Sequence, residues 1–257
     1  MRPRGSGRGY GNGVGLSLDE NDAAGNAAAD MPQMISLSSP EAHVRLGWCA
    51  LHATDRELRS CAAVLSKPEH DRAARFGSPL LRDRYMIGRA ALRNVLGDML
   101  GLAPARVPIV RGPRGRPQLG ADVGLDFNVS HTEDGALLGV LTDMPGARIG
   151  VDVERGERRI NVAGIARKFM SDNERKALAA LDEERARRTV LQLWTCKEAM
   201  SKATGDALSA PFASIDVELS TEAEVRDGPG KYRPEDWALH AASVPGDYIA
   251  TIALWRP

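Results

Sequence analysis

Ser171-Asp172-Asn173-Glu174 repeats in outline a stretch about 105 residues earlier, Ser66-Lys67-Pro68-Glu69. Both have the Ser-x-x-Glu spacing of a capping box, in which the serine side chain accepts from a backbone N–H of the first helical turn and the glutamate reaches back to the cap. Working outward, a strand-like run precedes each box and a long amphipathic helix follows it. Around the first box these are His43 to Leu51 and Leu80 to Leu100, and around the second Arg148 to Glu154 and Glu184 to Thr204. The same order met twice predicts an internal duplication with a pseudo-two-fold relation. After Thr204, short runs at Ser214 to Leu219, Trp237 to Ser243 and Tyr248 to Trp255 read as a closing antiparallel sheet. Helices mixed with antiparallel strands make the class α+β, here as two similar α+β halves, residues 41–147 and 148–257. Residues 1–40 hold Gly5, Gly7, Gly9, Gly11, Gly13 and Gly15 and few large apolar side chains, and read as a disordered tail. Its Arg4, Arg8 and Tyr10 also resemble RNA-binding arginine-glycine segments, but a solvated extension is the preferred reading.

The 257 residues carry 34 Lys+Arg against 34 Asp+Glu, with 43% apolar content, enough for one large domain or two modest ones. Zero net charge argues against a general nucleic-acid binder or a membrane-surface protein. Cys49, Cys61 and Cys196 are odd in number and form no CxxC pair, so neither a disulfide framework nor a zinc site is supported. No apolar run of about 18 residues occurs, and the basic N-terminus lacks the apolar core of a signal peptide. A reducing cytoplasm is the expected compartment.

Chemistry is concentrated in three stretches. In Gly150-Val151-Asp152-Val153-Glu154, alternation places Asp152 and Glu154 on one strand face. Two carboxylates so close repel unless a cation lies between them, and an oxygen-rich pair suits Mg²⁺ holding a phosphate. On the second long helix, Lys197 and Glu198 extend the apolar stripe of Val190, Leu193 and Trp194. Glu198 and Lys202, four apart, can pair with each other on the helix surface. Alternatively, Glu198 joins Asp152 and Glu154 around a metal or removes a proton, while Lys202 faces a phosphate. That set suits phosphoryl transfer, where positioning and charge neutralisation carry most of the catalysis. In the third stretch, Phe127-Asn128-Val129-Ser130-His131, the strand buries Phe127 and Val129, and His131 at its end either donates to a phosphate or is a surface turn residue. A serine hydrolase reading of Ser130 and His131 fails because no Gly-x-Ser-x-Gly elbow is present. A deaminase reading of His131-Thr132-Glu133 fails for want of Pro-Cys-x-x-Cys, and no phosphate-binding Gly-Lys-Ser/Thr loop occurs.

Positive charge gathers in the first half. Arg72, Arg75, Arg82, Arg84, Arg89 and Arg93 crowd two helical stretches, and Arg111-Gly112-Pro113-Arg114-Gly115-Arg116-Pro117 punctuates a basic loop. Arginine matches phosphate bidentately, so the cluster reads either as the grip on a multiply phosphorylated ligand or as a solvated helix face. The loop is a candidate anion clamp or an ordinary turn.

With these motifs in this order, together with Arg75-Phe76, Asp83-Arg84 before Gly88, Gly115-Arg116-Pro117 and Trp194-x-x-Lys197-Glu198-x-x-x-Lys202 before Gly205 and Leu208, the chain resembles the 4'-phosphopantetheinyl transferases of the long, two-half Sfp type. The resemblance spans roughly residues 42 to 255. It implies Mg²⁺-dependent transfer of the phosphopantetheine arm of coenzyme A to a serine of an acyl or peptidyl carrier protein, releasing adenosine 3',5'-bisphosphate. By the same resemblance Asp152, Glu154 and Glu198 hold the metal, Glu198 also serves as base, and Lys202 neutralises the pyrophosphate. Arg72, Arg84, Arg116, Ser130 and His131 match positions around the adenosine and its 3'-phosphate. Glu174 matches a family glutamate, and the competing helix-cap reading is preferred for it. Arg116 stands where relatives often carry lysine, and Glu69 where some carry a basic residue. A monomer is expected, because internal pairing replaces a dimer. A Mg²⁺-dependent phosphodiesterase acting on coenzyme A-like substrates is the alternative enzyme, and a non-enzymatic coenzyme A-binding or carrier-docking module the alternative outside catalysis.

Overall fold

The computed structural model of the chain describes residues 31–120 and 123–257. The expected tail therefore falls mostly outside the described residues, with one correction. Met34–Leu37, assigned to the tail, forms strand β1 and pairs antiparallel with β2 (Val44–Ala50), Ile35 opposite Trp48. Gly47 makes room for it, since a Cβ there would stand 2.6 Å from Met34 Sδ.

From β2 onward the chain runs α1 (Asp55–Val64), α2 (Lys67–Ala73), α3 (Pro79–Leu100), β3 (Ile109–Arg111), β4 (Pro117–Leu119), β5 (Leu125–His131) and β6 (Gly135–Thr142). The second half repeats that order: β7 (Arg148–Arg155), α4 (Val162–Phe169), α5 (Asp172–Leu178), α6 (Glu183–Thr204), β8 (Asp216–Leu219), β9 (Ala223–Asp227), β10 (Trp237–Ala241) and β11 (Tyr248–Trp255). Strand, three helices and four strands occur twice. The main sheets are antiparallel, in orders β1-β2-β6-β5 and β10-β11-β7. The expected closing sheet needs correcting, because β8 pairs with β9 as a separate hairpin and only β10 and β11 join β7. The basic loop from Arg111 to Pro117 is likewise the turn of the β3–β4 hairpin, with Gly115 at φ 83°.

The two expected capping boxes both form, and Thr54 with Glu57 adds a third. Each 22-residue helix ends on a left-handed glycine, Gly101 for α3 and Gly205 for α6. The glutamate of each of the two expected boxes also anchors a buried cation on the long helix of its half. Glu69 Oε2 accepts from Arg93 Nε at 2.6 Å, and the same guanidinium donates to the carbonyls of Pro104, Ala105 and Val107. Glu174 Oε2 accepts from Lys197 Nζ at 2.6 Å, and that ammonium donates to the carbonyls of Phe169, Phe212 and Ile215. A buried charge is tolerated only when paired and hydrogen-bonded in this way. The arginine cluster is thereby corrected: Arg89 and Arg93 are committed to Glu69, and Arg82 pairs with Asp83.

The halves meet through packed sheet faces and along one strand edge. Leu46, Trp48 and Leu137 of the first half share a core with Ile149, Val151 and Ile252 of the second. The free edge of β7 runs beside β5 without pairing to it, and side chains bridge the gap. Ile149 N–H donates to Asp126 Oδ2 at 2.9 Å and Val151 N–H to Asn128 Oδ1 at 3.0 Å. The carbonyls of the same two residues accept from Arg116 (2.9 Å) and Lys202 (3.2 Å). Every outward backbone group at these two positions is satisfied, as a buried edge requires. Among the described residues no helix is long and apolar enough to cross a membrane.

Candidate active site

The strap between β5 and β7 leads straight to the carboxylates. Helix α6 lies so close on β7 that a Cβ at Gly150 would fall 1.9 Å from the Ala199 carbonyl. That contact sets Glu198 and Lys202, flanking Ala199 and Ala203, against Asp152 two residues along the strand. Lys202 Nζ donates to Asp152 Oδ1 at 2.6 Å and to Ser130 Oγ at 2.8 Å, and Ser130 Oγ donates in turn to Asp152 Oδ1 at 2.8 Å. The surface pairing of Glu198 with Lys202 does not form, because Lys202 turns to Asp152 instead.

Asp152 is 5% exposed and its Oδ2 is buried with no partner. The Glu198 carboxylate, half-buried, makes no hydrogen bond or ion pair among the described residues. Burial, then the charge of Asp152, raises the Glu198 pKa above the ordinary carboxylate range, against the pull of Lys202. Glu154 is raised by the same two causes in the same order, with Arg158, its ion-pair partner, opposing. Three carboxylates thus face one another with a surplus of negative charge and an orphaned oxygen. This hard-oxygen donor set fits Mg²⁺. As they stand, no three His, Cys, Asp or Glu side chains among the described residues are placed to hold a metal ion together, and Glu154, paired with Arg158, would have to leave that partner to join one.

The residues assigned to the nucleotide end divide. His131 closes β5 with its ring over Gly88 of α3, where a Cβ would stand 2.9 Å from Nε2. The residue keeps a solvent-facing surface, but packing around its ring, then the charges of Lys202 and Arg89, lower its pKa to about 4. His131 is thus a neutral donor or acceptor near pH 7, lying between the carboxylates and the arginines. Arg72 stacks over the Tyr85 ring, 5.4 Å from its centroid, and with Pro68, Arg75, Phe76 and Arg111 lines an open cavity of about 480 Å³. Arg84 is half-buried on α3 and engages no partner among the described residues.

Arg116 and Ser130 are both engaged within the fold. Arg116 is 9% exposed; it grips Asp126 through two bonds (2.9 and 2.7 Å) and donates to the carbonyls of Lys202, Phe127 and Ile149. Its guanidinium joins the halves and commits four of its five N–H groups there. Ser130, 3% exposed, turns inward to Asp152 and Lys202. Glu174 is the helix cap and the counter-ion of Lys197, and it also accepts from Val217 N–H. Sequence reasoning missed Asp126, Asn128, Tyr85 and Gly150. The signal for the first two was present, since Asp126, Asn128 and Ser130 at i, i+2 and i+4 put three polar groups on one strand face.

Comparison with known proteins meets this geometry. Residues 148–253 match the family model of the 4'-phosphopantetheinyl transferase superfamily, and residues 50–141 match that of the 4'-phosphopantetheinyl transferase N-terminal region. The chain is 35% identical over 236 residues to the 4'-phosphopantetheinyl transferase HetI of Nostoc sp., covering 88% of this chain and 94% of that protein. It is 27% identical over 173 residues to 4'-phosphopantetheinyl transferase Sfp of Bacillus subtilis, covering 63% and 75%. A crystal structure of a Bacillus anthracis holo-(acyl-carrier-protein) synthase aligns with TM-score 0.35 at 19% identity, over 42% of this chain and 94% of that one. The chain belongs to the 4'-phosphopantetheinyl transferase superfamily, in its Sfp/HetI type. It is an enzyme of that class.

Proposed function

We propose that the chain transfers the 4'-phosphopantetheine arm of coenzyme A to a serine hydroxyl of an acyl or peptidyl carrier protein. The serine oxygen forms the new bond to the phosphorus that carries the arm, the P–O bond to the nucleotide breaks, and adenosine 3',5'-bisphosphate leaves. Asp152, Glu154 and Glu198 would hold Mg²⁺, which when bound neutralises charge on the pyrophosphate. Glu198, unpaired and with a raised pKa, is suited to accept the serine proton, directly or through water. Lys202 holds Asp152 in place and stands ready beside the pyrophosphate. Arg72, Arg84 and His131 would take the adenosine end, Arg72 from the cavity it shares with Arg75 and Arg111. Division into halves at 147/148 is part of the same reading, supported by the repeated element order and the two matched segments. A monomer in a reducing compartment is also proposed, consistent with three buried free thiols.

The observation that carries this reading is the buried, partnerless Asp152 Oδ2 facing two further carboxylates. Incubation with coenzyme A, Mg²⁺ and an apo-carrier protein tests it by mass. A carrier gaining one phosphopantetheine arm is the expected result. Consumption of coenzyme A with no gain on any of a panel of carriers would make the enzyme a hydrolase.

A further inference from the structure

Asn128 lies on β5 two residues before Ser130, is 5% exposed, and has no part in the roles above. Its Oδ1 accepts from the Val151 N–H at 3.0 Å, while the Val151 carbonyl accepts from Lys202 Nζ at 3.2 Å. Val151 directly precedes Asp152, on the edge of β7 opposite β11. Fixing Val151 at both its N–H and its C=O fixes the direction in which Asp152 leaves the strand. Ser130, on the same face of β5 as Asn128, then meets Asp152 Oδ1. An asparagine supplies the acceptor without placing another full negative charge beside Asp152.

We infer that Asn128 is a positioning residue for the transfer reaction, setting the height of Asp152 against Ser130 and Lys202 through the Val151 peptide. The inference rests on the proposed role of Asp152. A merely structural hydrogen bond would lower the melting temperature and leave turnover per folded molecule intact. A positioning bond changes kcat, because small displacements of reacting groups are costly.

The test uses the full chain with coenzyme A and an apo-carrier, with Mn²⁺ binding followed by electron paramagnetic resonance as a second readout. Asn128→Ala and Asn128→Leu are expected to lower kcat about 10- to 100-fold, to leave KM for coenzyme A within about twofold, and to weaken Mn²⁺ binding. Asn128→Asp, which keeps an acceptor but adds charge, recovers kcat in part. Leu65→Ala, which hollows a separate core cluster containing no residue of β7 or α6, lowers the melting temperature and keeps kcat. Turnover and Mn²⁺ binding like wild type in Asn128→Ala or Asn128→Leu would overturn the inference. Should neither fold, Asn128→Gln decides: unchanged kcat overturns the inference, and lowered kcat at an unchanged melting temperature supports it. Asp152→Ala runs alongside, and full activity there would instead overturn the site reading on which the inference rests.

Discussion

At the residue scale, Asp152 joins everything else. One oxygen is taken by Lys202 and Ser130 and the other is left buried without a partner. A buried polar atom in that state is costly unless something absent from the fold completes it. Asp152→Ala is expected to abolish Mg²⁺-dependent transfer, a loss of at least about 10³-fold, with far-ultraviolet circular dichroism unchanged. Residual activity near wild type would remove Asp152 from the chemistry. Arg84→Ala is expected to weaken coenzyme A binding about tenfold or more while leaving dephospho-coenzyme A nearly unaffected. Equal losses for both ligands would cancel the 3'-phosphate contact. The carboxylates were legible in the sequence because alternation on a strand and spacing on a helix fix faces. The setting of Arg116 was not, because only the tertiary fold brings Asp126 and three carbonyls to most of its donors.

At the element scale, the approach of α6 to β7 controls the site, and Gly150 permits it. Gly150→Ala would press a methyl group against the Ala199 carbonyl, an overpacking worth about 1–3 kcal/mol. Because the helix must move, kcat is expected to fall by about an order of magnitude or more, whereas stability loss with unchanged kcat would show that the spacing does not matter. The paired buried cations give two further outcomes. Lys197→Met leaves Glu174 buried and unpaired and is expected to cost about 3–5 kcal/mol in chemical denaturation, although Lys197 sits beside Glu198 in the motif. A small loss would contradict the buried pairing of Lys197 with Glu174. Burial alone would raise the Glu69 pKa, but the hydrogen bonds from Arg93 and Ser66 and the charge of Arg89 bring it from 4.5 to about 2. A carboxylate depressed on folding stabilises fully above its unfolded pKa and loses that contribution as the pH falls through the folded value. Stability should thus decline between about pH 4.5 and 2, and Glu69→Gln should flatten that acid limb by about 3 kcal/mol. An acid limb identical in the variant would contradict the pairing. The capping boxes and long helices were readable from periodicity, but β1, β6 and α4 were not. β6 is an almost wholly buried central strand without alternation, and β1 depends on the space left by Gly47.

At the scale of the whole molecule, one order of elements occurs twice, and only the second run carries the carboxylates. The first contributes β5, whose Ser130 and Asn128 hold the second half's Asp152 and Val151. Neither half therefore makes the site alone. The repeat of capping boxes was legible in the sequence, but not that side chains in place of backbone bonds would bridge β5 and β7. The most direct test is a crystal structure grown with coenzyme A and Mn²⁺, read by anomalous scattering. One ion bound by oxygens of Asp152, Glu154 and Glu198, at the roughly 2 Å distances of a hard divalent cation, is the expected result. Anomalous density elsewhere, with Glu154 still on Arg158 and Asp152 Oδ2 still bare, would contradict the metal site.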